Sequence, residues 1–108
     1  MSTIPDVVSR YYAAAAADDL DGVLGCFTAD ARVHDEDHDY RGIDEIRAWR
    51  EGVASRFTYT TEIVGAEQLG EGAYVVSTHL EGDFPGGVVD LHQRFTVTAD
   101  GLISELVI

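Results

Sequence analysis

The stretch RYYAAAAADDLDGVLGCFTADARVHD, residues Arg10–Asp35, determines how the rest of the chain is arranged. Two tyrosines and a run of alanines predict a thin, stable helix that can pack closely on a sheet. Asp18 and Asp19 end this helix, and Asp19 is suited to cap a second short helix, Leu20–Phe27. The residues that follow, Ala31–Asp35, have room for one short strand. The stretch therefore predicts two helices that lead directly into a sheet.

Side-chain alternation along this strand identifies the first candidate functional residues. Val33 and Asp35 are predicted to share one face of the strand, with Arg32 and His34 on the other. If the first helix packs over the Val33 face, Tyr11 and Asp35 face one cavity. They are the candidate catalytic residues.

The rest of the chain supplies a third helix and then strands. Glu36–Tyr40 is polar and acidic, which predicts a loop. A helix is predicted from Ile43 to about Ala54, with an apolar stripe of Ile43, Ile46, Trp49 and Val53 facing inward. The second half alternates instead, which predicts strands at Phe57–Leu69, Ala73–Glu81, Val88–Thr98 and Leu102–Ile108.

Helices followed by an antiparallel meander predict an α+β fold. We expect a cone-shaped α+β barrel, in which three N-terminal helices pack on a strongly curved antiparallel sheet and leave a pocket for a small ligand at the open end. The predicted pocket-lining, substrate-binding residues are Phe27, Val33, Trp49, Leu91, Gln93, Phe95 and Glu105. For Glu105 the alternative is a surface position on a slipped closing strand.

Length and composition restrict the class of protein. The chain has 108 residues, which predicts one domain over residues 1–108, and 45 % of them are hydrophobic, as in ordinary globular proteins. Seven basic and 20 acidic residues give a net charge of −13, and all the basic residues are arginines. Such a surface repels phosphate backbones and anionic lipids, so neither nucleic acid nor a membrane is an expected partner. The start of the chain lacks the pattern of a signal peptide, which favours a cytoplasmic location.

The residues quoted above resemble the nuclear transport factor 2-like superfamily, and within it the SnoaL-type polyketide cyclases and the ketosteroid isomerases. The similarity lies in the Asp-Asp-Leu-Asp-Gly turn, in Ala-Asp-Ala-Arg-Val-His-Asp and in Tyr-Arg-Gly before the third helix. It implies the cone-shaped fold. It also implies roles for Tyr11, as hydrogen-bond donor to the substrate oxygen, and for Asp35, as the group that moves the proton. The second acid of the isomerases aligns with Leu91, and the neighbouring Asp90 faces the other way.

The chemistry of these two residues agrees with those roles. Abstracting a proton next to a carbonyl needs a carboxylate in a poorly hydrated pocket and a donor aimed at the developing enolate oxygen. The alternative is that Tyr11 is a core aromatic and Asp35 a solvated acid. The acidic cluster at residues 34–39 contains possible metal ligands, but alternation directs His34 and Asp35 to opposite faces, so we predict no dedicated metal site and no cofactor.

The sequence thus predicts a pocket protein for a small hydrophobic molecule and leaves its activity open. One hypothesis is a cofactor-independent isomerase, cyclase or hydratase that acts by proton transfer on a hydrophobic carbonyl substrate. The alternative is a non-catalytic ligand-binding domain or a dimeric interaction domain of the same fold. A homodimer through the sheet is expected, because the outer sheet face needs cover.

Overall fold

The computed structural model describes residues 4–56 and 59–108, without the side chains of residues 53–56. Within those ranges the chain forms three helices and six strands. The helices are Asp6–Ala16 (α1), Leu20–Leu24 (α2) and Gly42–Arg56 (α3). The strands are Phe27–Asp35 (β1), His38–Arg41 (β2), Tyr59–Gly70 (β3), Ala73–Gly82 (β4), Val88–Val97 (β5) and Ile103–Val107 (β6).

The strands form one sheet in the order β2-β1-β6-β5-β4-β3. β1 and β6 pair in parallel, whereas every other neighbouring pair is antiparallel. The predicted α+β fold class is confirmed. The sheet is mixed, because its first and last strands in the chain, β1 and β6, lie side by side and run in parallel. It is not closed, and β2 and β3 are its two edge strands.

Two local predictions around the first strand were wrong. The second helix ends at Leu24, and Phe27 begins β1, so the predicted helix was too long and the predicted strand too short. The predicted loop Glu36–Tyr40 contains β2 instead, which pairs with β1. Glu36 and Asp37 have φ of 53° and 63°, the left-handed values of a two-residue hairpin turn whose twist matches that of its strands.

The core lies between the helices and the inner face of the sheet. Its fully buried side chains include Val8 of α1, Ile46 of α3, Phe95 of β5 and Leu106 of β6. Asp19 caps α2 by accepting a hydrogen bond from the Gly22 amide at 3.1 Å, as predicted. The side chain of Val53, in the predicted inward stripe, is not described, and the predicted strand start at Phe57 lies outside the described residues. Among the helices of the described ranges, none is long and apolar enough to cross a membrane.

An ion pair between β4 and β5 makes stability depend on pH. His79 Nδ1 lies 2.6 Å from Asp90 Oδ1 across the antiparallel pair, and this hydrogen bond raises the pKa of His79 above its ordinary value. A raised folded-state pKa means that the stabilisation is complete below the ordinary histidine value and is lost as pH rises through the raised value. We therefore expect Asp90→Asn to lower the melting temperature at about pH 5.5 and to have little effect at about pH 9.

Histidine titration by NMR checks this expectation directly. The pKa of His79 should fall in Asp90→Asn and stay unchanged in Asp100→Asn, which alters an exposed acid in the β5–β6 turn. Equal His79 titration curves in the wild type and in Asp90→Asn would contradict the assignment.

Candidate functional site

A cavity of about 570 Å³ opens between the helices and the inner face of β3, β4 and β5. Tyr11 and Tyr12 of α1 and Trp49 and Arg50 of α3 contribute to its walls, together with Asp35 at the end of β1. The sheet adds the apolar side chains of Leu80, Val89 and Leu91. The β4–β5 connection adds Phe84 and Pro85. The cavity is therefore largely apolar, with a few polar groups at defined places.

Asp35 is held at the cavity by Trp49. The indole Nε1–H of Trp49 donates a hydrogen bond of 2.9 Å to Asp35 Oδ2. Trp49 is itself buried on α3 and is 6.3 Å from Tyr40 of β2, measured between ring centroids. The carboxylate is thus oriented by a rigid aromatic donor, although it remains half-buried and in contact with the cavity.

Arg50 is a buried cation in the same cavity. Its exposed fraction is 8 %, and its guanidinium carbon lies 5.3 Å from the centroid of the Trp49 ring, a cation–π arrangement. Nη1 donates to the Tyr59 hydroxyl at 3.5 Å, which is a long hydrogen bond. Trp49 therefore connects the two charged groups of the site, with Asp35 at its indole nitrogen and Arg50 over its face.

The two tyrosines of α1 keep their protons. Burial raises the pKa of Tyr11, and the nearby Arg50 charge offsets only part of that effect. Burial also raises the pKa of Tyr12, whose hydroxyl donates to Gln93 Oε1. Both phenols are therefore neutral hydrogen-bond donors at physiological pH.

The structure brings together five of the nine residues predicted for the site. Tyr11, Asp35, Trp49, Leu91 and Gln93 all line the cavity.

Phe27, Val33 and Phe95 do not line the cavity and belong to the core beneath it. They are 4 %, 0 % and 1 % exposed, because the α1 and α3 side chains cover that part of the inner sheet face. They therefore lie on the inner face of the sheet, as expected, but beneath the cavity and not in its wall.

Glu105 was predicted to face the cavity and does not. Its Oε2 accepts hydrogen bonds from Arg32 Nε at 3.0 Å and Nη2 at 2.7 Å, among exposed polar residues that include His34 and Asp39. The reason is a register shift between Thr96 and Val97, opposite Ser104, which inserts one residue into β6. Such a bulge reverses the direction of the side chains that follow, so Leu106 is buried instead.

Sequence reasoning did not identify Arg50, Tyr12 and Tyr59 as cavity residues. Arg50 follows Ile46 by four positions and Ile43 by seven, so helical periodicity places it on the inward face of α3. That signal was present, but the predicted inward stripe included apolar residues only. In the described part of the chain, no group of three His, Cys, Asp or Glu side chains is placed to hold a metal ion.

Comparison with known proteins identifies relatives. The family model for the SnoaL-like domain matches residues 8–106. A protein from Sinorhizobium meliloti, provisionally named as a polyketide cyclase, is 31 % identical, with 96 % of this chain and 94 % of that chain covered and a TM-score of 0.91. No curated protein matches the chain.

More distant solved structures share the fold. RV0760c from Mycobacterium tuberculosis, in complex with estradiol-17β-hemisuccinate, is 15 % identical over 94 % of this chain and 88 % of that chain, with a TM-score of 0.79. The epoxide hydrolase/cyclase-like enzyme SalBIII, which takes part in pyran ring formation in the polyether salinomycin, is 19 % identical over 94 % and 85 % of the two chains, also with a TM-score of 0.79. At these identities the similarity establishes the architecture alone.

Proposed function

We propose a function from the premise that this chain belongs to the SnoaL-like domain family. The protein is a cofactor-independent enzyme of isomerase, cyclase or hydratase type that moves a proton on a small hydrophobic carbonyl compound. Asp35 is the base and Tyr11 is the hydrogen-bond donor. The observation that carries this proposal is the Asp35 carboxylate, held by Trp49 Nε1 at 2.9 Å and in contact with a largely apolar cavity.

The proposed reaction uses only side chains of this chain. Asp35 takes a proton from the carbon next to the substrate carbonyl, and the electron pair of that C–H bond moves to the carbonyl oxygen as an enolate. The neutral Tyr11 hydroxyl donates to that oxygen as its negative charge develops. Asp35 then returns the proton to a different carbon. Alternatively, the enolate carbon attacks the carbon of a second carbonyl group and closes a ring; the electron pair of that C=O π bond moves to its oxygen, which takes the proton from Asp35.

The size and lining of the cavity support a largely apolar substrate. Its volume of about 570 Å³ lies within the range of ligand pockets. A fold neighbour, RV0760c, holds a steroid derivative, and a designed protein of this fold binds 17-OHP, with a TM-score of 0.79 to this chain. These ligands suggest the size class of the substrate for this protein.

A non-catalytic ligand-binding domain is the second candidate, and Leu91 favours it. Leu91 lines the cavity at the position that aligns with the second acid of the ketosteroid isomerases, so one hydrogen bond to the enolate is missing there. A homodimer through the sheet and a cytoplasmic location remain predictions.

Exchange of carbon-bound protons tests the catalytic proposal without knowledge of the natural substrate. We expect the wild-type protein to accelerate incorporation of deuterium into 2-tetralone, an apolar ketone with acidic α-protons, as followed by NMR in D₂O. Asp37→Asn is the matched control, because Asp37 is an exposed acid in the β1–β2 turn and asparagine accepts its left-handed backbone conformation. Exchange no faster than in buffer, for 2-tetralone and for a cyclic 1,3-diketone, would favour the binding domain.

Removing the Tyr11 hydroxyl should slow this reaction. In Tyr11→Phe the ring keeps its edge contacts with Phe27 and Phe95, both with centroids 5.8 Å away, but the donor to the enolate is lost. We expect the exchange rate to fall about 10²-fold, as when an oxyanion donor is removed from other enzymes. Tyr12→Phe should cost less than about tenfold, because that hydroxyl is engaged by Gln93. Equal losses in the two variants would contradict the role of Tyr11.

A further inference from the structure

Arg50 has no anionic partner in the part of the chain that the structure describes. It is 8 % exposed and lines the cavity, but it takes part in none of the ion pairs between the described side chains, those of residues 4–52 and 59–108. The guanidinium lies over Trp49, donates to the Tyr59 hydroxyl and interacts with the Tyr11 hydroxyl. A buried cation in contact only with neutral groups is unusual, because proteins normally pair the charges that they bury.

The acids near Arg50 form no ion pair with it among the described side chains, although Asp18 interacts with it electrostatically. Asp18 and Glu36 line the cavity as exposed residues at its rim, where water screens their charges. Asp35 accepts a hydrogen bond from the Trp49 indole N–H and is in none of the ion pairs between described side chains. Deeper in the cavity, the guanidinium acts through a medium of lower dielectric constant and remains charged at every physiological pH.

We propose that the cavity binds a hydrophobic carboxylate and that Arg50 is the residue that binds the carboxylate group. This inference rests on the proposed function, because it names the substrate class of the same site. Arginine presents a planar set of N–H donors that matches a carboxylate in a two-point contact. The Trp49 ring, which lies under the guanidinium carbon, and the Tyr59 hydroxyl hold the Arg50 side chain in place before the ligand arrives.

The position of Arg50 also orients the ligand. Asp35 and Arg50 contact different parts of Trp49, at the indole nitrogen and over the ring. A ligand whose carboxylate is bound at Arg50 keeps that negative charge away from Asp35 and directs its apolar body along Leu80 and Leu91. The ligand carbon that loses a proton must then lie at a fixed distance from the ligand carboxylate.

Isothermal titration calorimetry with two matched ligands tests this inference. The probes are 4-cyclohexylbutanoate and its neutral amide, 4-cyclohexylbutanamide, which differ in charge and hardly in size. We expect the wild type to bind the carboxylate about tenfold or more tightly than the amide, as a charge-assisted contact implies. Arg50→Gln should remove this preference, and Arg50→Lys should keep part of it, because lysine retains the charge without the planar donor set.

Arg47→Gln is the matched control, since Arg47 is exposed on the same helix. This variant should keep the full preference for the carboxylate. Wild-type protein that binds the amide as tightly as the carboxylate, or that binds neither at millimolar concentration, would overturn the inference. A preference that persists in folded Arg50→Gln would do the same, and circular dichroism establishes whether each variant is folded.

The same titration separates this inference from the proposed function. Neither probe has to react, so carboxylate preference in the wild type supports the role of Arg50 even if no proton exchange is found. Asp35→Asn should keep or increase the preference, because it removes a negative charge from the cavity. A protein that exchanges ketone protons but shows no carboxylate preference would retain the catalytic proposal and refute this one.

Discussion

Asp35→Asn should lower the rate of proton exchange into 2-tetralone by about 10³-fold, within the range that general bases contribute. Asparagine has almost the same shape as aspartate. Its carbonyl oxygen can still accept the hydrogen bond of 2.9 Å that the Trp49 indole N–H donates to Asp35 Oδ2. It cannot take up a proton from carbon. The change therefore removes the base while it preserves the contact that positions the side chain.

The Asp35 experiment needs evidence that the variant is intact. Urea unfolding should give Asp35→Asn a stability close to that of the wild type, and calorimetry should show that it still binds an apolar ligand. Asp37→Asn, in the adjacent turn, should exchange protons at the wild-type rate. Full activity in Asp35→Asn would exclude Asp35 as the base, whereas unchanged binding with no activity in either protein would identify a binding domain.

Phe95→Ala should have the largest effect on stability of the changes considered. Phe95 is 1 % exposed on β5, and its ring makes edge contacts with Tyr11 and Tyr12 at centroid distances of 5.8 Å. Truncating a buried aromatic residue lowers the free energy of unfolding by about 3–5 kcal/mol. Because a domain of this size is stable by only about 5–15 kcal/mol, the variant should be partly unfolded at 37 °C or close to it.

Leu91→Ala is the matched comparison on the same strand. Leu91 contacts the cavity and is partly exposed, so truncation enlarges a space that water can already enter. We expect a loss below about 2 kcal/mol, because little additional apolar surface is uncovered. Urea unfolding of both variants measures the difference. Similar losses would mean that Phe95 is part of the cavity wall, as the alternation of β5 first indicated, and not of the core.

The sequence predicted those features that depend on local pattern. Helix α1, the Asp19 cap and the inward direction of Leu91, Gln93 and Phe95 follow from periodicity and capping, and the structure has each of them. The parallel pairing of β1 with β6 depends on contacts between residues far apart in the chain, which no local pattern encodes.

The errors at the site have the same origin. The direction of Glu105 depends on a one-residue bulge opposite Thr96, and alternation counted along β6 alone cannot detect a bulge. Whether Phe27 and Val33 line a cavity or lie beneath it depends on how closely α1 and α3 approach the sheet. Arg50 was missed for another reason: the predicted inward stripe of the third helix included apolar residues only, although a cavity can accommodate a charge.

Trp49 is the only tryptophan in the chain, and it contacts both Asp35 and Arg50. All indole fluorescence of this protein therefore originates at the candidate site. A compound that enters the cavity must change the polarity around that ring, so a shift in emission wavelength or intensity reports its arrival without any label. The protein can thus be screened directly against cell extracts and compound collections, with Arg50 and Asp35 variants as internal references, to find the molecule that it binds.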